Sequence, residues 1–283
     1  MSSPTLGSVA KESISIRLLM AAQFDEAKRW WLWANVSRLL VVIVTVISLF
    51  WKEWLDWIWL LPAGFTVTHS LLQWRADTLQ GKADAITRQL ELQDGFGWKI
   101  SEQEKADLSL EVSDKVKKKA QGTEESPYFD SRQEAFARRA VENLKQSAWY
   151  TRHLAKKMAK YVFVLCAFAA VLALISIFVI VFSPPLHRWG PNIGRIVIIV
   201  LVFVVAYGYL RLGFQYRSLS SQAEKSSNRA SRLLELETLT EIQAIRLLHE
   251  YQIARVTAPM IPGWIWNIMK GDLNRLWEQQ VSR

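Results

Sequence analysis

The chain has 283 residues, 51% of them hydrophobic, with 35 Lys and Arg against 26 Asp and Glu and a formal net charge of +9. Its mean hydropathy is slightly positive at +0.07 despite those charges, so other segments must be very apolar, which sets the chain apart from an ordinary soluble domain. The single cysteine, Cys166, excludes an intrachain disulfide, and no Cys–His spacing suits zinc.

Residues 9–33 carry an irregular apolar stripe (Val9, Ile14, Ile16, Leu18, Leu19, Ala22, Ala27), then Lys28, Arg29 and the indoles Trp30, Trp31 and Trp33. The pattern predicts an N-terminal cytoplasmic amphipathic helix, within 1–33, that runs into a membrane. A first span follows over 34–51, apolar except for Arg38, and a second over 57–74. Together they form a transmembrane hairpin, 34–74. Trp51, Trp54, Trp57 and Trp59 crowd its tip beside Lys52, Glu53 and Asp56. Indole prefers the headgroup zone, with its ring in the apolar layer and its N–H in water, so these four are candidate interface anchors. Thr66, Thr68, His69, Ser70 and Gln73 make a polar stripe on span two, with Thr66, His69 and Gln73 as candidate pore-lining residues.

Residues 75–160 are polar and predict a cytoplasmic helical region. Ser101 and Glu104 fit a capping box that starts a helix over roughly 102–120, with a basic cluster at Lys115–Lys119. A second box, Ser131 to Glu134, predicts a helix that runs unbroken into span three, since no Gly or Pro occurs from 132 to 182. Span three, 161–182, is the strongest signal. Its 22 residues carry no charge, and at 1.5 Å per residue they cover about 33 Å, enough for a hydrocarbon layer of ~30 Å. Cys166 within it reads as a small apolar filler. Ala169 and Ala173, four apart, are candidate helix-packing positions, as is Gly208 in span four. Span four, 194–210, follows a turn with three prolines and completes a second hairpin over 161–214.

Residues 215–283 predict a C-terminal cytoplasmic helical region. No Gly or Pro interrupts 215–256, where Leu219, Ala223, Ala230, Leu233, Leu236, Ala244, Leu247 and Tyr251 recur at helical spacing. That stripe requires a partner helix, from 132–160 or from another subunit. Pro259, Pro262 and Gly263 then end the helix before a short apolar plug at 264–269, expected to pack on the bundle.

The fold class expected is therefore an all-α membrane protein: four transmembrane helices in two hairpins with long cytoplasmic helical extensions. Of the 35 basic residues, 32 lie in the N-terminal, middle and C-terminal regions and 3 at the hairpin tips. By the positive-inside rule both chain ends are cytoplasmic, in a multi-pass topology. Basic flanks on anionic headgroups also account for the net charge without a nucleic acid duplex. No cleaved leader is predicted, because the first apolar run follows more than thirty residues of mixed charge. Phosphate-binding glycine loops, zinc-protease helices and nucleophile elbows are all missing, and the four histidines are far apart in sequence. No catalytic, metal-binding or cofactor-binding residue is assigned, and a non-enzyme is expected.

Three features resemble the SMODS-associated four-transmembrane effectors of bacterial cyclic-nucleotide antiphage defence. In LLMAAQFDEAKRWW (18–31), Ala22, Gln23, Ala27 and Lys28 match the segment before that family's first span. The order of two hairpins around a long insert is similar over the whole chain. In RVTAPMIPGWIW (255–266), Arg255, Pro259, Ile261, Pro262 and Trp264 match the closing segment. The chain departs from the pattern at Gly97 and Gly263, where the family has Asp, and Ser147–Tyr150 matches its Trp-Tyr element in part. The resemblance implies a homo-oligomeric effector that breaches the inner membrane on a cytoplasmic signal, supplied by a cyclic nucleotide or by a soluble sensor protein. The other expectation is a membrane anchor or scaffold that recruits a soluble partner.

Overall fold

The structure, a computed structural model, describes residues 15–50, 60–121, 136–182 and 208–281, with isolated positions at 129, 131, 133, 134, 194 and 197. Every regular element among them is a helix. In chain order these are α1 (Ile16–Phe50), α2 (Leu60–Phe96), α3 (Glu102–Glu111), α4 (Asp114–Gln121), α5 (Ala137–Phe182), α6 (Tyr209–Leu234), α7 (Glu241–Val256) and α8 (Gly263–Val281). Trp51, Trp54, Trp57 and Trp59 lie outside the described residues, as does most of the predicted fourth span.

Long helices form where the sequence offers no breaker. α1 runs 35 residues without Gly or Pro, so the amphipathic segment and the first span are one rod. α2 tolerates Pro62 in its first turn, where no intrahelical donor is lost. It stops at Gly97, whose φ of 72° is the left-handed cap conformation that glycine adopts without strain. α5 is 46 residues long, about 69 Å. α1 pairs with α2, and α5 with α6.

The two hairpins point their apolar ends the same way, since Arg38 of α1 lies 5.2 Å from the ring centroid of Tyr209 at the start of α6. At that end the side chains have no protein to pack on. Leu39, Ile43 and Ile47 of α1, Leu60, Val67 and Leu71 of α2, and Val164, Phe168, Leu172, Ile175 and Phe178 of α5 are all exposed. Two helices, Ile16–Ser48 and Ala137–Phe178, are long and apolar enough to cross a membrane among the described residues. An aromatic ring marks where this girdle ends: Trp33, Trp74, Tyr161 and Trp264 are all exposed, and Tyr161 stands 5.6 Å from Trp264.

The opposite, polar end is a packed bundle. Ala137, Ala140, Val141, Leu144 and Ala148 of α5 meet Ala223 and Ala230 of α6 and Ala244, Leu247 and Tyr251 of α7. The stripe in 215–256 thus finds its partner in α5 of the same chain. Leu19, Met20 and Ala22 of α1 and Ile86 of α2 bury Val112 and Val116 beside α4. The apolar plug packs only in part: Ile265 of α8 is fully buried among Met158, Val162 and Tyr216, whereas Trp264 and Ile268 are exposed.

Three expected elements differ. The helix over 102–120 breaks at Val112 and Ser113, because burying Val112 against α1 and α2 requires an extended residue there (φ −94°, ψ 135°). The capping box at Ser101 forms as expected, with Ser101 N–H donating to Glu104 Oε2 at 2.8 Å and Glu104 N–H to Ser101 Oγ at 3.1 Å. The box at Ser131 does not form: its hydroxyl donates to Glu142 at 2.7 Å, and α5 starts at Ala137. The helix over 215–256 turns between Leu234 and Glu241 without Gly or Pro, and Thr240 with Gln243 caps α7 reciprocally. That turn folds α7 back on α5 and α6, with Leu233, Leu234 and Leu239 packed on the shared core.

Two glycines bring helices together. A Cβ on Gly95 would lie 2.8 Å from Ala140 Cβ and 2.9 Å from its Cα, and one on Gly213 would lie 2.9 Å from the Phe163 ring. Gly95→Ala should destabilise the protein by about 1–3 kcal/mol in detergent, since backbone must move. Gly81→Ala, with nothing within 4 Å, should stabilise it by about 0.5–1 kcal/mol. Denaturation midpoints check both; equal effects would contradict the close approach.

Candidate functional site

Three of the four acids of α2, Asp84, Glu91 and Asp94, tie it to other elements. Asp94 accepts from Arg17 of α1 at 2.8 Å and from Arg139 and Asn143 of α5 at 3.0 and 2.8 Å. Glu91 accepts from Arg255 and Gln252 of α7, each at 2.9 Å. Asp84 lies 3.5 Å from the same Arg255 guanidinium. The side chains of Asp84 and Glu91 are only 6% exposed, so Arg255 is the cation that makes two buried carboxylates tolerable. Burial pushes the Asp84 carboxyl above its usual range; Arg255 opposes this, and the Glu91 charge adds to it.

Arg255 also begins the chain segment that closes one wall of a cavity of about 540 Å³. Met20, Phe24, Asp25 and Lys28 of α1 form the facing wall, Gln80 and Asp84 of α2 and Thr151 and Leu154 of α5 the floor. Two contacts hold the proline turn in place. Gln80 donates to the Ala258 carbonyl at 3.5 Å, and the buried Tyr216 hydroxyl donates to the Met260 carbonyl at 2.5 Å. Burial lowers the Lys28 ammonium below the ordinary lysine value, Asp25 opposes this from 4.0 Å, and Lys119 adds to the lowering. Lys28 and Arg255 thus offer donors, and Asp25 and Asp84 offer acceptors, to a largely apolar chamber.

The segments 18–31 and 255–266, distant in sequence, line this one cavity. It continues past Met20, Ala21, Thr151, Leu154 and Trp266 into a second hollow of about 580 Å³ between α1 and α8. Compared with protein-family models, curated proteins and solved structures, the chain matches none.

The polar residues of span two are placed differently from one another. His69 is buried against α1. Arg38, which has only donors, meets its Nε2 at 3.0 Å, so Nδ1–H donates to the Ala34 carbonyl at 2.9 Å and the ring is neutral. Thr66 is exposed and bonds to the Pro62 carbonyl of its own helix, and Gln73, half-buried, donates to Asp77. Ala173 is buried and Ala169 half-buried, on the seam of α5 that also carries Val162 and Cys166. The φ of 73° at Gly208 starts α6 in the left-handed region, and a Cβ there would meet only Arg211, at 4.0 Å. Among the described residues no cluster of His, Cys, Asp and Glu is arranged to hold a metal.

Sequence reading missed the Arg255 cluster. The signal available was the spacing of Asp84 and Glu91, seven apart and so on one face of α2. Arg255→Ala leaves both carboxylates buried without their cation and should cost about 3–5 kcal/mol of stability near neutral pH. The Asp84 carboxyl, raised by burial and opposed by Arg255, then sits above its unfolded value, so the penalty is present above that range and shrinks as pH falls. Denaturation at pH 7.5 and pH 5 checks this, and a deficit equal at both would contradict it.

Proposed function

We propose that this chain is an inner-membrane effector of bacterial antiphage defence that permeabilises the bilayer when a cytoplasmic signal reaches its polar end. The observation that carries this reading is the joining of an exposed apolar girdle to a charged cavity through the same helices. Two helices with unpartnered apolar halves support insertion. The sequence pattern supplies the other two spans, over 57–74 and 194–210, with both termini and the polar bundle in the cytoplasm, where 32 of the 35 basic residues then lie.

The cavity suits a small polyanion with hydrogen-bonding bases, such as a cyclic nucleotide. Its size falls in the ordinary ligand range of roughly 300–1,000 Å³, Lys28 and Arg255 are placed to meet phosphate, and Asp25 and Asp84 are placed to accept from base N–H groups. A ligand there touches α1, α2 and the 255–266 turn at once, so its binding energy is available to move one hairpin against the other. Within one chain His69 is occupied by α1. Conduction therefore calls for rearrangement and several copies, with Thr66 and Gln73 available on the outer surface of α2.

Induced expression with the activating signal, followed by a potential-sensitive dye, tests the reading. The membrane potential should collapse, and Lys28→Ala should raise the signal concentration required by about tenfold, the loss of one charge-assisted contact. An intact potential at full activation would overturn the effector reading, and capture of a stable soluble partner without toxicity would favour the scaffold.

A further inference from the structure

A further hollow, of about 360 Å³, opens beside the aromatic ring, away from the cavity. Three elements build it: Glu26, Arg29, Trp30 and Trp33 of α1, Leu72 of α2, and Lys115 of α4. Glu26 organises it. Its side chain is 14% exposed and accepts from Trp30 Nε1 at 3.2 Å, Arg29 at 3.4 Å and Lys115 at 3.4 Å. Lys115 arrives from 89 residues away in sequence, and Arg75 stacks on the Trp30 ring at 4.2 Å. The cationic side chains remain open, Arg29 at 59% and Lys115 at 65% exposure. One carboxylate therefore sits among three cations, and the hollow is net positive.

Its level along the helices decides what fills it. Beyond Trp33 the exposed residues of α1 are Val36, Leu39, Ile43 and Ile47, and beyond Leu72 those of α2 include Leu71, Val67 and Leu61. On the other side lie the charges of α1 and α4. The hollow is therefore at the border between girdle and polar end, where a bilayer places its phosphates. We infer that it is a binding site for the headgroup of an anionic phospholipid. Arg29 and Lys115 hold the phosphodiester, Trp33 and Leu72 cover the glycerol, and the acyl chains run down α1 and α2. Basic pockets beside spanning helices take acidic headgroups in this way, and an indole at the same depth presents its ring to the chains and its N–H to the polar layer. The site rests on the bilayer reading above, and on nothing about the signal.

The full chain, reconstituted in vesicles of phosphatidylcholine and phosphatidylglycerol and extracted in mild detergent, reports the site through the lipid it retains, counted by mass spectrometry. The wild type should keep phosphatidylglycerol over phosphatidylcholine, and Arg29→Ala with Lys115→Ala should lower that preference by about fivefold for each cation removed. Lys105→Ala with Arg275→Ala removes equal charge elsewhere and should leave it unchanged. Should the first pair not stay monodisperse, the single Arg29→Gln is read instead. An unchanged preference, or an equal fall in both pairs, overturns the site while leaving insertion intact. Displacement of the lipid by millimolar inorganic phosphate would make it a general phosphate site and overturn the lipid assignment. A chain that stays in solution beside the vesicles overturns the bilayer reading itself.

Discussion

Phe168, Leu172, Ile175 and Phe178 lie along one face of α5 and are exposed. Each would expose apolar area to water at roughly 25 cal/mol per Å², which no solvated bundle of this size sustains over such a length. Their helical backbone is already hydrogen-bonded within itself, so hydrocarbon is the solvent that satisfies both the side chains and the main chain. The rest of the structure follows from that constraint. One end of each helix pair is apolar and exposed, and the specific packing is concentrated at the other.

At the polar end the helices are held by two different means. α5, α6 and α7 meet through alanines, and α6 comes close to α5 at Gly213, contacts that require shape and little polarity. The α1–α2 hairpin is tied to the rest mainly through charges on α2: Asp94 to Arg17 and Arg139, and Glu91 with Asp84 to Arg255. Buried ion pairs of this kind add little net stability, but they penalise any arrangement that separates the partners. The cavity lies directly beside the Arg255 cluster. A ligand that competes for this guanidinium would alter the joint between the two helix pairs.

Local signals are readable wherever one short segment decides the outcome. The box at Ser101 and Glu104 and the helix stop before Pro259 are both present in the fold. Span three is legible because an uncharged run of that length suits a bilayer and little else. The partner for the 215–256 stripe is legible because a period near 3.6 leaves one helix face to be buried. The misreadings share a cause. Ser131 has the residues of a cap, yet its hydroxyl is taken by Glu142. Residues 235–240 lack a breaker, yet leucines on both sides of the turn reach the same core. Each of these is decided by a partner distant in sequence. The cavity is the extreme case: its walls come from 18–31 and 255–266, and only folding brings them together.

The central claim is that the apolar half of α5 lies in lipid. Leu172→Cys in a Cys166→Ser background tests it most directly, because Leu172 is 45% exposed on the apolar half of α5. In native membranes a water-soluble maleimide should leave that cysteine unmodified and should label it fully once the membrane is dissolved in denaturing detergent. Rapid labelling in intact membranes would place this face in water and contradict the account.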